Sequence, residues 1–274
     1  MTVYIPDISS SRWVILSPQR IGRPGENGEK YVCPFCPGNE THTTDEMLRY
    51  GPGNPGERDW RLRVVKNKFP ITDIHEVIIH SPNHDKDIED LTQNQVELIF
   101  QSYRDRYNEH KENGQVLIFC NHGEHAGASL DHPHSQLVVL PNQIKIDVLL
   151  KEPIQNIVIS NDNFDVYCPV FSQWPYEVWI TPKNAENEYG DISDEEVESL
   201  SHLLQYILGK LEYIYRNEKI SRMPFGYNYY ITPGKNWYLR IIPRYVHRAG
   251  FELGTGLSVN IVDPATVAEK LKMT

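Results

Sequence analysis

The feature that most constrains the fold is one strand–helix–strand plan that occurs twice along the chain. An apolar segment leads to Ser81-Pro82 in the first half, and a similar segment leads to Thr181-Pro182, with the two prolines 100 positions apart (182 minus 82). An acidic helix start follows each proline, and apolar residues then recur at the spacing of one helix face. These residues are Val96, Ile99, Phe100, Tyr103 and Tyr107 in the first half, and Val197, Leu200, Leu203, Leu204, Ile207, Leu208 and Leu211 in the second.

Each predicted helix is followed by a pair of predicted strands. These cover residues 116–119 and 137–140 in the first half, and residues 227–231 and 238–242 in the second. Internal duplication of an α+β unit is the simplest account of this pattern. We therefore predict an α+β fold with antiparallel sheets and flanking helices, divided into an N-terminal half (1–145) and a C-terminal half (146–274).

Two histidines two positions apart, His132 and His134, precede the apolar run 137–140. Residues i and i+2 of an extended chain point to the same face, and Pro133 favours an extended backbone at His132. Two imidazoles therefore face one site after a glycine-containing loop, which is typical of phosphate-handling sites where a histidine can be the nucleophile. On this motif alone, two half-buried polar residues at a strand start are an equally good interpretation.

The spacing of cysteines and histidines indicates a metal site. Cys33 and Cys36 form a C-x2-C knuckle, and His84 and His132 follow at equal intervals of 48 positions (84 minus 36, and 132 minus 84). Two thiolates and two imidazoles are the ligand set of a closed structural zinc, so we predict one Zn²⁺ bound by these four residues. A C-x2-C pair alone also fits a redox pair or two buried thiols, and two histidines shortly before His84 are alternative third ligands.

The segment from Asn121 to Gln136 contains an Asn, a Gly-x-Ser pair and then His-Pro-His-x-Gln. It resembles the active-site region of the histidine-triad superfamily, most closely its galactose-1-phosphate uridylyltransferase branch, and the knuckle and the segment around His84 resemble the same family. The resemblance implies two histidine-triad-like halves, and it implies that His134 attacks the α-phosphorus of a nucleotide sugar. It also implies that Gln136 hydrogen-bonds the phosphoryl oxygens. Further positions implied to orient the nucleophile or contact the phosphates are Asn121, Gly127 and Ser129.

Two other segments resemble parts of the family that contact the nucleotide. Arg20 and Arg23 follow a predicted strand, and the resemblance implies that they approach the nucleotide. Asn67 and Phe69 occupy positions that it implies in the nucleoside pocket. Without the resemblance, arginines after a strand are usually solvated, and Phe69 fits an ordinary core position equally well.

The resemblance predicts a nucleotidyltransferase that moves a nucleoside monophosphate from a nucleotide sugar, through a covalent nucleotidyl-His134, to hexose 1-phosphate with ping-pong kinetics. Ser135 stands where the family's transferases usually have Gly, and serine there resembles the related nucleotidyl phosphorylases. The first alternative is therefore a phosphorylase that acts on ADP-glucose or diadenosine tetraphosphate with inorganic phosphate. The second is a zinc-stabilised nucleotide hydrolase or nucleotide-binding protein of the histidine-triad type.

The second half departs from the family at one position. Asn236-Trp237-Tyr238 stands where the family often has a His-x-His pair of a second metal site, so we predict no second metal. The nearby glycine-rich segment 250–256 resembles a loop beside the sugar-phosphate pocket, and the resemblance suggests that it completes the neighbour's site in a homodimer. Such glycine-rich segments are also common as plain turns.

Composition excludes other classes of function. A formal net charge of -10 argues against a general nucleic-acid binder. The sequence contains no apolar run long enough to span a membrane, and its first residues lack the regions of a signal peptide. The two cysteines outside the knuckle stand alone, as expected in a reducing compartment. We therefore expect a cytoplasmic protein whose partners are a nucleotide sugar and a sugar phosphate or inorganic phosphate, and not nucleic acid or membrane.

Overall fold

The computed structural model of the protein describes residues 2–7, 12–22, 32–218 and 220–273. Ten of its strands form one antiparallel sheet, and two others form a separate antiparallel pair. The separate pair consists of β1 (Val3–Pro6) and β2 (Trp13–Leu16). The strands of the large sheet are β3 (Glu46–Tyr50), β4 (Leu62–Lys66), β5 (His75–Ile79), β6 (Gln115–His122), β7 (His134–Leu140), β8 (Ile157–Ser160), β9 (Phe164–Tyr167), β10 (Val178–Pro182), β11 (Tyr227–Ile231) and β12 (Leu239–Pro243).

The two apolar stripes predicted from the sequence lie on two of the helices, α1 (Gln93–His110) and α2 (Asp194–Glu218). The other α-helices of the described residues are α3 (Gly250–Thr255) and α4 (Pro264–Met273). A capping box starts α2, because Ser193 accepts a hydrogen bond from the Glu196 amide at 3.1 Å and Glu196 accepts one from the Ser193 amide at 2.8 Å. None of the helices in these ranges has the length and apolar composition needed to cross a bilayer.

Two local expectations were wrong. The acidic segment after Pro82 does not open α1 directly, because Ile88–Asp90 forms a separate 3-10 turn before the helix begins. The glycine-rich segment 250–256 is a short helix and not a loop. Glu252 accepts a hydrogen bond from the Ala249 amide at 3.1 Å, and Gly256 ends the helix at φ +73°, which glycine adopts without strain.

The strand order repeats the plan seen in the sequence. The order along the sheet is β3-β4-β5-β7-β6-β11-β12-β10-β9-β8, so the second five strands mirror the first five. Helix α1 connects β5 to β6, and α2 connects β10 to β11. At the centre, β6 and β11 pair from Ile118 with Ile231 to His122 with Tyr227. The predicted α+β fold is confirmed, and the boundary predicted between residues 145 and 146 lies between β7 and β8 and stays a prediction.

Alternation along the strands gives the sheet two different faces. Helices α1 and α2 pack against each other on one face, which we call the helix face, and bury residues such as Ile78 and Leu137. The opposite face, which we call the site face, carries His134 and Gln136. Its apolar cover is Phe35, Trp60, Val65, Val77, Ile79 and Leu130 over the first half, and Tyr167, Trp179 and Tyr238 over the second.

Candidate functional site

The first residue of β7, His134, is held in one tautomer by the backbone. Its Nδ1 lies 2.9 Å from the carbonyl oxygen of His132, and a carbonyl can only accept, so Nδ1 carries the proton. The lone pair of the neutral ring is therefore on Nε2. The Phe35 ring packs edge-on against the imidazole at 5.2 Å between centroids. His134 is thus an oriented imidazole whose Nε2 can act as a nucleophile.

Gln136 is oriented by a relay that begins at a backbone amide. The Ile71 N–H donates to His75 Nδ1 at 2.9 Å, so the proton of this imidazole is on Nε2. His75 Nε2 then donates to Gln136 Oε1 at 3.0 Å, and Asn67 Nδ2 lies 3.4 Å from the same oxygen. Asn67 is itself fixed, because its Oδ1 accepts from the Phe69 amide at 2.8 Å. With its oxygen held in this way, the Gln136 amide has its –NH₂ group available as a donor.

A cavity of about 420 Å³ lies beside these two residues on the site face. This volume is within the usual range for a small-molecule site. His134 and Gln136 line it together with residues of β4, β5 and the C-x2-C segment. Of the nucleotide-binding residues predicted from the sequence, Asn67, Phe69 and Ser129 line this cavity.

The remaining predicted nucleotide-binding residues are placed differently. Arg20 donates from its guanidinium to the Phe69 carbonyl at 2.6 Å, which places it at the edge of the cavity. Arg23 lies outside the described residues. Gly127 is not among the residues that line the cavity, and its φ of +86° ends the 3-10 turn Glu124–Ala126 in the left-handed region.

Asn121, near the end of β6, is hydrogen-bonded to a residue of the second half of the chain. Asn228 of β11 donates from Nδ2 to Asn121 Oδ1 at 2.8 Å, and the same nitrogen lies 2.8 Å from the Ala126 carbonyl. Asn121 also lines a smaller recess together with His134. The two halves therefore meet directly beside the candidate nucleophile.

The four predicted metal ligands form one cluster. One ligand atom from each of Cys33, Cys36, His84 and His132 lies within 4.8 Å of the others. Cys36 Sγ is 3.2 Å from His84 Nδ1 and 3.6 Å from His132 Nδ1. A cluster of two sulfurs and two ring nitrogens at such distances fits a four-coordinate metal ion.

The protonation of the cluster also fits a metal. His132 Nε2 donates to the Ser81 carbonyl at 2.9 Å, which leaves Nδ1 to face the cysteines, as in metal-bound histidines with a backbone partner. Burial lowers the pKa of His132 to about 4, so its imidazole is neutral at pH 7. Burial and the neighbouring Cys33 raise the pKa of Cys36 to about 11, and a bound cation would stabilise the thiolate.

The two histidines that compete with His84 in the sequence lie elsewhere. His80 is fully buried, with Nε2 3.3 Å from the Tyr103 hydroxyl on the helix face. His75 belongs to the Gln136 relay. The structure therefore brings His84 to the cluster and leaves the other two histidines out of it.

Ser135, the residue that resembles the nucleotidyl phosphorylases, lies on the helix face of the sheet. It is fully buried, and it pairs in register with Cys120, whose side chain belongs to the core of the helix face. Since consecutive strand residues point to opposite faces, Ser135 points away from His134 and the cavity. Ser135 therefore does not line the cavity, and the interpretation that this serine indicates a phosphorylase stays a prediction.

Sequence reasoning did not identify His75 and Asn228. Neither residue belongs to a short motif, and each reaches the site only through pairing between distant strands. His75 does carry one signal, because it lies two positions before Val77, in the apolar segment that leads to Ser81-Pro82, and residues i and i+2 of a strand share a face.

Part of the first half of the chain matches a family model. Residues 72–142 match the family model described as galactose-1-phosphate uridyl transferase, N-terminal domain. ADP-glucose phosphorylase from Arabidopsis thaliana is 27% identical, in an alignment covering 97% of this chain and 91% of the relative. Galactose-1-phosphate uridylyltransferase from Thermotoga maritima is 23% identical over 97% of this chain and 96% of the relative.

Solved structures have the same fold. The crystal structure of the Arabidopsis thaliana ADP-glucose phosphorylase with bound ADP-glucose has a TM-score of 0.74 and 26% identity, and covers 100% of this chain and 99% of that one. A uridylyltransferase structure has a TM-score of 0.77 and 22% identity, and covers 100% and 98%. These similarities extend over the whole chain and include both of its halves.

Proposed function

We propose that this chain, a galactose-1-phosphate uridylyltransferase-like member of the histidine-triad superfamily, transfers a nucleoside monophosphate from a nucleotide sugar to a phosphate-bearing acceptor through His134. The similarity to an ADP-glucose phosphorylase and to a galactose-1-phosphate uridylyltransferase supports nucleotidyl transfer as the class of reaction. The observation that carries the mechanism is the hydrogen bond from His134 Nδ1 to the His132 carbonyl. It puts the lone pair on Nε2, the nitrogen that must attack.

The reaction takes place in two displacements. In the first, Nε2 of His134 forms a bond to the α-phosphorus, and the bond from this phosphorus to the bridging oxygen breaks, so that a sugar 1-phosphate leaves. In the second, a phosphate oxygen of the acceptor attacks the same phosphorus, and the N–P bond breaks. Two easier steps replace one difficult step, and the kinetics are ping-pong.

The charge that develops on the phosphoryl oxygens needs donors that are already in place. The Gln136 amide supplies one, because its oxygen is occupied by His75 and its nitrogen remains for the phosphate. We propose that Asn121, Gly127 and Ser129 contribute further contacts, and that Arg20 and Arg23 approach the phosphates from the amino-terminal segment. Asn67 and Phe69 would contact the nucleoside in the cavity that they line.

We propose Zn²⁺ as the occupant of the Cys33, Cys36, His84 and His132 cluster. A closed site of this kind supplies structural constraint and leaves no position open for a substrate. His132 is two residues before His134, and its carbonyl oxygen holds the nucleophile. The ligand that fixes the metal therefore also fixes the direction of the attacking imidazole.

The preferred acceptor in this proposal is hexose 1-phosphate. A second candidate is phosphorolysis of ADP-glucose, in which inorganic phosphate is the acceptor. It is favoured by the similarity to the Arabidopsis thaliana ADP-glucose phosphorylase over 97% of this chain. Both reactions pass through a nucleotide bound covalently to His134, and they differ in the base carried and in the acceptor of the second step.

We also propose that the protein is a homodimer. Large apolar side chains are exposed on α3 and in the segment that follows it, including Phe251 at 55%, Leu253 at 76% and Leu257 at 61%. Apolar residues gathered in one exposed segment are typical of an interaction surface. Sedimentation equilibrium should give twice the chain mass, and Leu253→Asp with Leu257→Asp should give the mass of one chain.

Intact-protein mass spectrometry would test the covalent step. The protein is mixed briefly with UDP-glucose, ADP-glucose or diadenosine tetraphosphate, without acceptor and without acid. A mass gain of one UMP or one AMP is expected in the wild type and in His202→Asn, an exposed histidine on α2, but not in His134→Asn. An adduct that persists in His134→Asn would refute the proposed nucleophile, and tight nucleotide binding with no adduct would favour a binding protein.

If an adduct forms, the acceptor is identified by its discharge. Hexose 1-phosphate, inorganic phosphate and water are added in turn to the isolated adduct, and the products are identified. Rapid discharge by hexose 1-phosphate supports the transferase, and rapid discharge by phosphate alone supports the phosphorylase. Discharge by water at the same rate with and without either acceptor would contradict both and indicate a hydrolase.

A further inference from the structure

Two arginines after β12 lie against one tryptophan and have no carboxylate partner among the residues that the structure describes. The guanidinium carbons of Arg244 and Arg248 are 4.6 Å and 4.8 Å from the centre of the Trp174 ring. Neither forms an ion pair with an acidic side chain of the described residues. The nearby Arg240, in contrast, is neutralised by Glu177 at 2.7 Å. Two like charges thus lie against one ring without compensation, and a bound anion would offset their mutual repulsion.

The partners of these arginines do not compensate the charge. Arg244 donates to Asn228 Oδ1 at 3.1 Å, and Arg248 donates to Gln173 Oε1 and to the Ser258 hydroxyl, each at 3.2 Å. All three acceptors are neutral. The Nε atom of Arg244 is buried without a hydrogen-bond partner among the described residues. Burial and the charge of Arg248 lower the pKa of Arg244, which is the direction expected for a cation that lacks an anion.

Two asparagines connect Arg244 to the recess that His134 lines. It donates to Asn228, and Asn228 donates to Asn121 at 2.8 Å. Asn121 is on β6, which lies between β7 and β11 in the sheet. Two strand spacings separate β7 from β11, or about 10 Å. The arginine is therefore separated from His134 by a distance that two linked phosphate groups and their contacts can cover.

The arginines and the cavity lie on opposite sides of His134. The cavity is lined by β4 and β5 residues such as Val65 and Val77, on one side of β7 in the sheet order. The arginines follow β12, on the other side. A substrate whose nucleoside fills the cavity and whose α-phosphorus meets His134 would extend its far end toward Arg244 and Arg248.

We infer that Arg244 and Arg248 form an anion subsite for the phosphate of the leaving sugar 1-phosphate and of the entering acceptor. This inference rests on the proposed function, because it assigns the far end of the same substrate. Guanidinium groups suit the site, since they bind phosphate through paired, charge-assisted hydrogen bonds. Each guanidinium group packs against the Trp174 ring, which restricts its motion before the anion arrives.

The test separates discharge by phosphate from discharge by water. The nucleotidyl adduct is isolated, and its decay is followed at constant ionic strength against inorganic phosphate concentration. The variants are Arg244→Gln, Arg248→Gln and the double variant, with Arg244→Lys to retain charge and Arg216→Gln on α2 as an exposed control. Each Gln variant should raise the half-saturating phosphate concentration by about ten-fold, the usual size of one charge-assisted hydrogen bond. Arg244→Lys should raise it less, Arg216→Gln should not change it, and decay in water should stay the same.

An unchanged phosphate dependence in the double variant would overturn the subsite. A double variant that becomes monomeric while keeping its phosphate dependence would do so as well, and would indicate that a carboxylate of a second copy pairs with the arginines. If the wild type forms no adduct, the proposed function fails, and calorimetric titration with inorganic phosphate then tests the subsite alone. Binding that is lost in the double variant supports the subsite, and binding that is equal in both proteins refutes it.

Discussion

The orientation of the Gln136 amide depends on His75, and this dependence can be tested without touching the nucleophile. In His75→Met the hydrogen bond of 3.0 Å to Gln136 Oε1 is lost, and only the longer contact of 3.4 Å from Asn67 remains. The amide can then rotate and present its oxygen to the phosphate. His75→Gln retains an N–H donor on a side chain of similar reach, so it should preserve much of the orientation.

The size of the effect follows from the bond that is lost. A neutral hydrogen bond contributes a net ~0.5–1.5 kcal/mol, so losing the orientation should slow adduct formation by about 2- to 12-fold. The Ile71 amide also loses its acceptor at His75 Nδ1, which should lower the free energy of unfolding by ~1–3 kcal/mol. The rate effect and the stability effect are expected to be separable, because they arise at different ring nitrogens.

Single-turnover mass spectrometry measures the rate of adduct formation, and thermal unfolding measures stability. The decisive comparison places His75→Met in a Gln136→Ala background. With the amide gone, His75→Met should lower stability as before but should not slow the reaction further. An equal loss of rate in both backgrounds would show that His75 acts through the general structure and not through Gln136. Full activity of His75→Met in the wild-type background would refute the relay altogether.

Three further outcomes are expected. Cys36→Ser should lower the zinc content measured by atomic absorption and lower the unfolding temperature by roughly 10 °C, because a closed metal site contributes to folding. Burial raises the pKa of Glu89 from 4.5 to about 7, so the stability that its protonated form contributes is lost as pH rises through this range. In urea denaturation, Glu89→Gln should have the same free energy of unfolding as the wild type at pH 4 and a higher one at pH 8, by up to ~3 kcal/mol. Glu177→Ala leaves the buried Arg240 unpaired and should lower the free energy of unfolding by ~3–5 kcal/mol, whereas the exposed Glu195→Ala should change it little.

The repeated plan of the fold could be predicted from the sequence because it depends on the spacing of apolar residues within single segments. The helical stripes of α1 and α2 and the apolar strands around them have periods that one segment reveals by itself. The pairing of β6 with β11 could not be predicted in this way, since their paired residues are more than 100 positions apart, as Cys120 and Tyr229 are. The start of α1 was misplaced because the acidic residues that fit a helix start form a 3-10 turn instead.

The candidate site was predictable to the extent that it depends on short spacings. His132 and His134 are two positions apart, so strand alternation predicts that they share a face. The two cysteines of the knuckle are three positions apart, which is the spacing of a metal-binding pair. His75 and Asn228 act through partners 61 and 107 positions away, Gln136 and Asn121, and no local pattern identifies them. Ser135 lies inside the same motif, but strand alternation directs its side chain to the helix face and away from the cavity.

The pairing of β6 with β11 makes the peptide connection between the halves dispensable in principle. If the chain were opened within residues 141–156, the two fragments would still share five paired positions and the hydrogen bond between the Tyr103 and Tyr229 hydroxyls. Each fragment alone would expose the unpaired edge of β6 or β11 and the apolar side of its helix. Each would therefore fold poorly alone and associate with the other fragment. The two halves therefore have the complementarity of two subunits, although they belong to one chain. The protein could be divided into two fragments whose enzymatic activity is restored only when they associate.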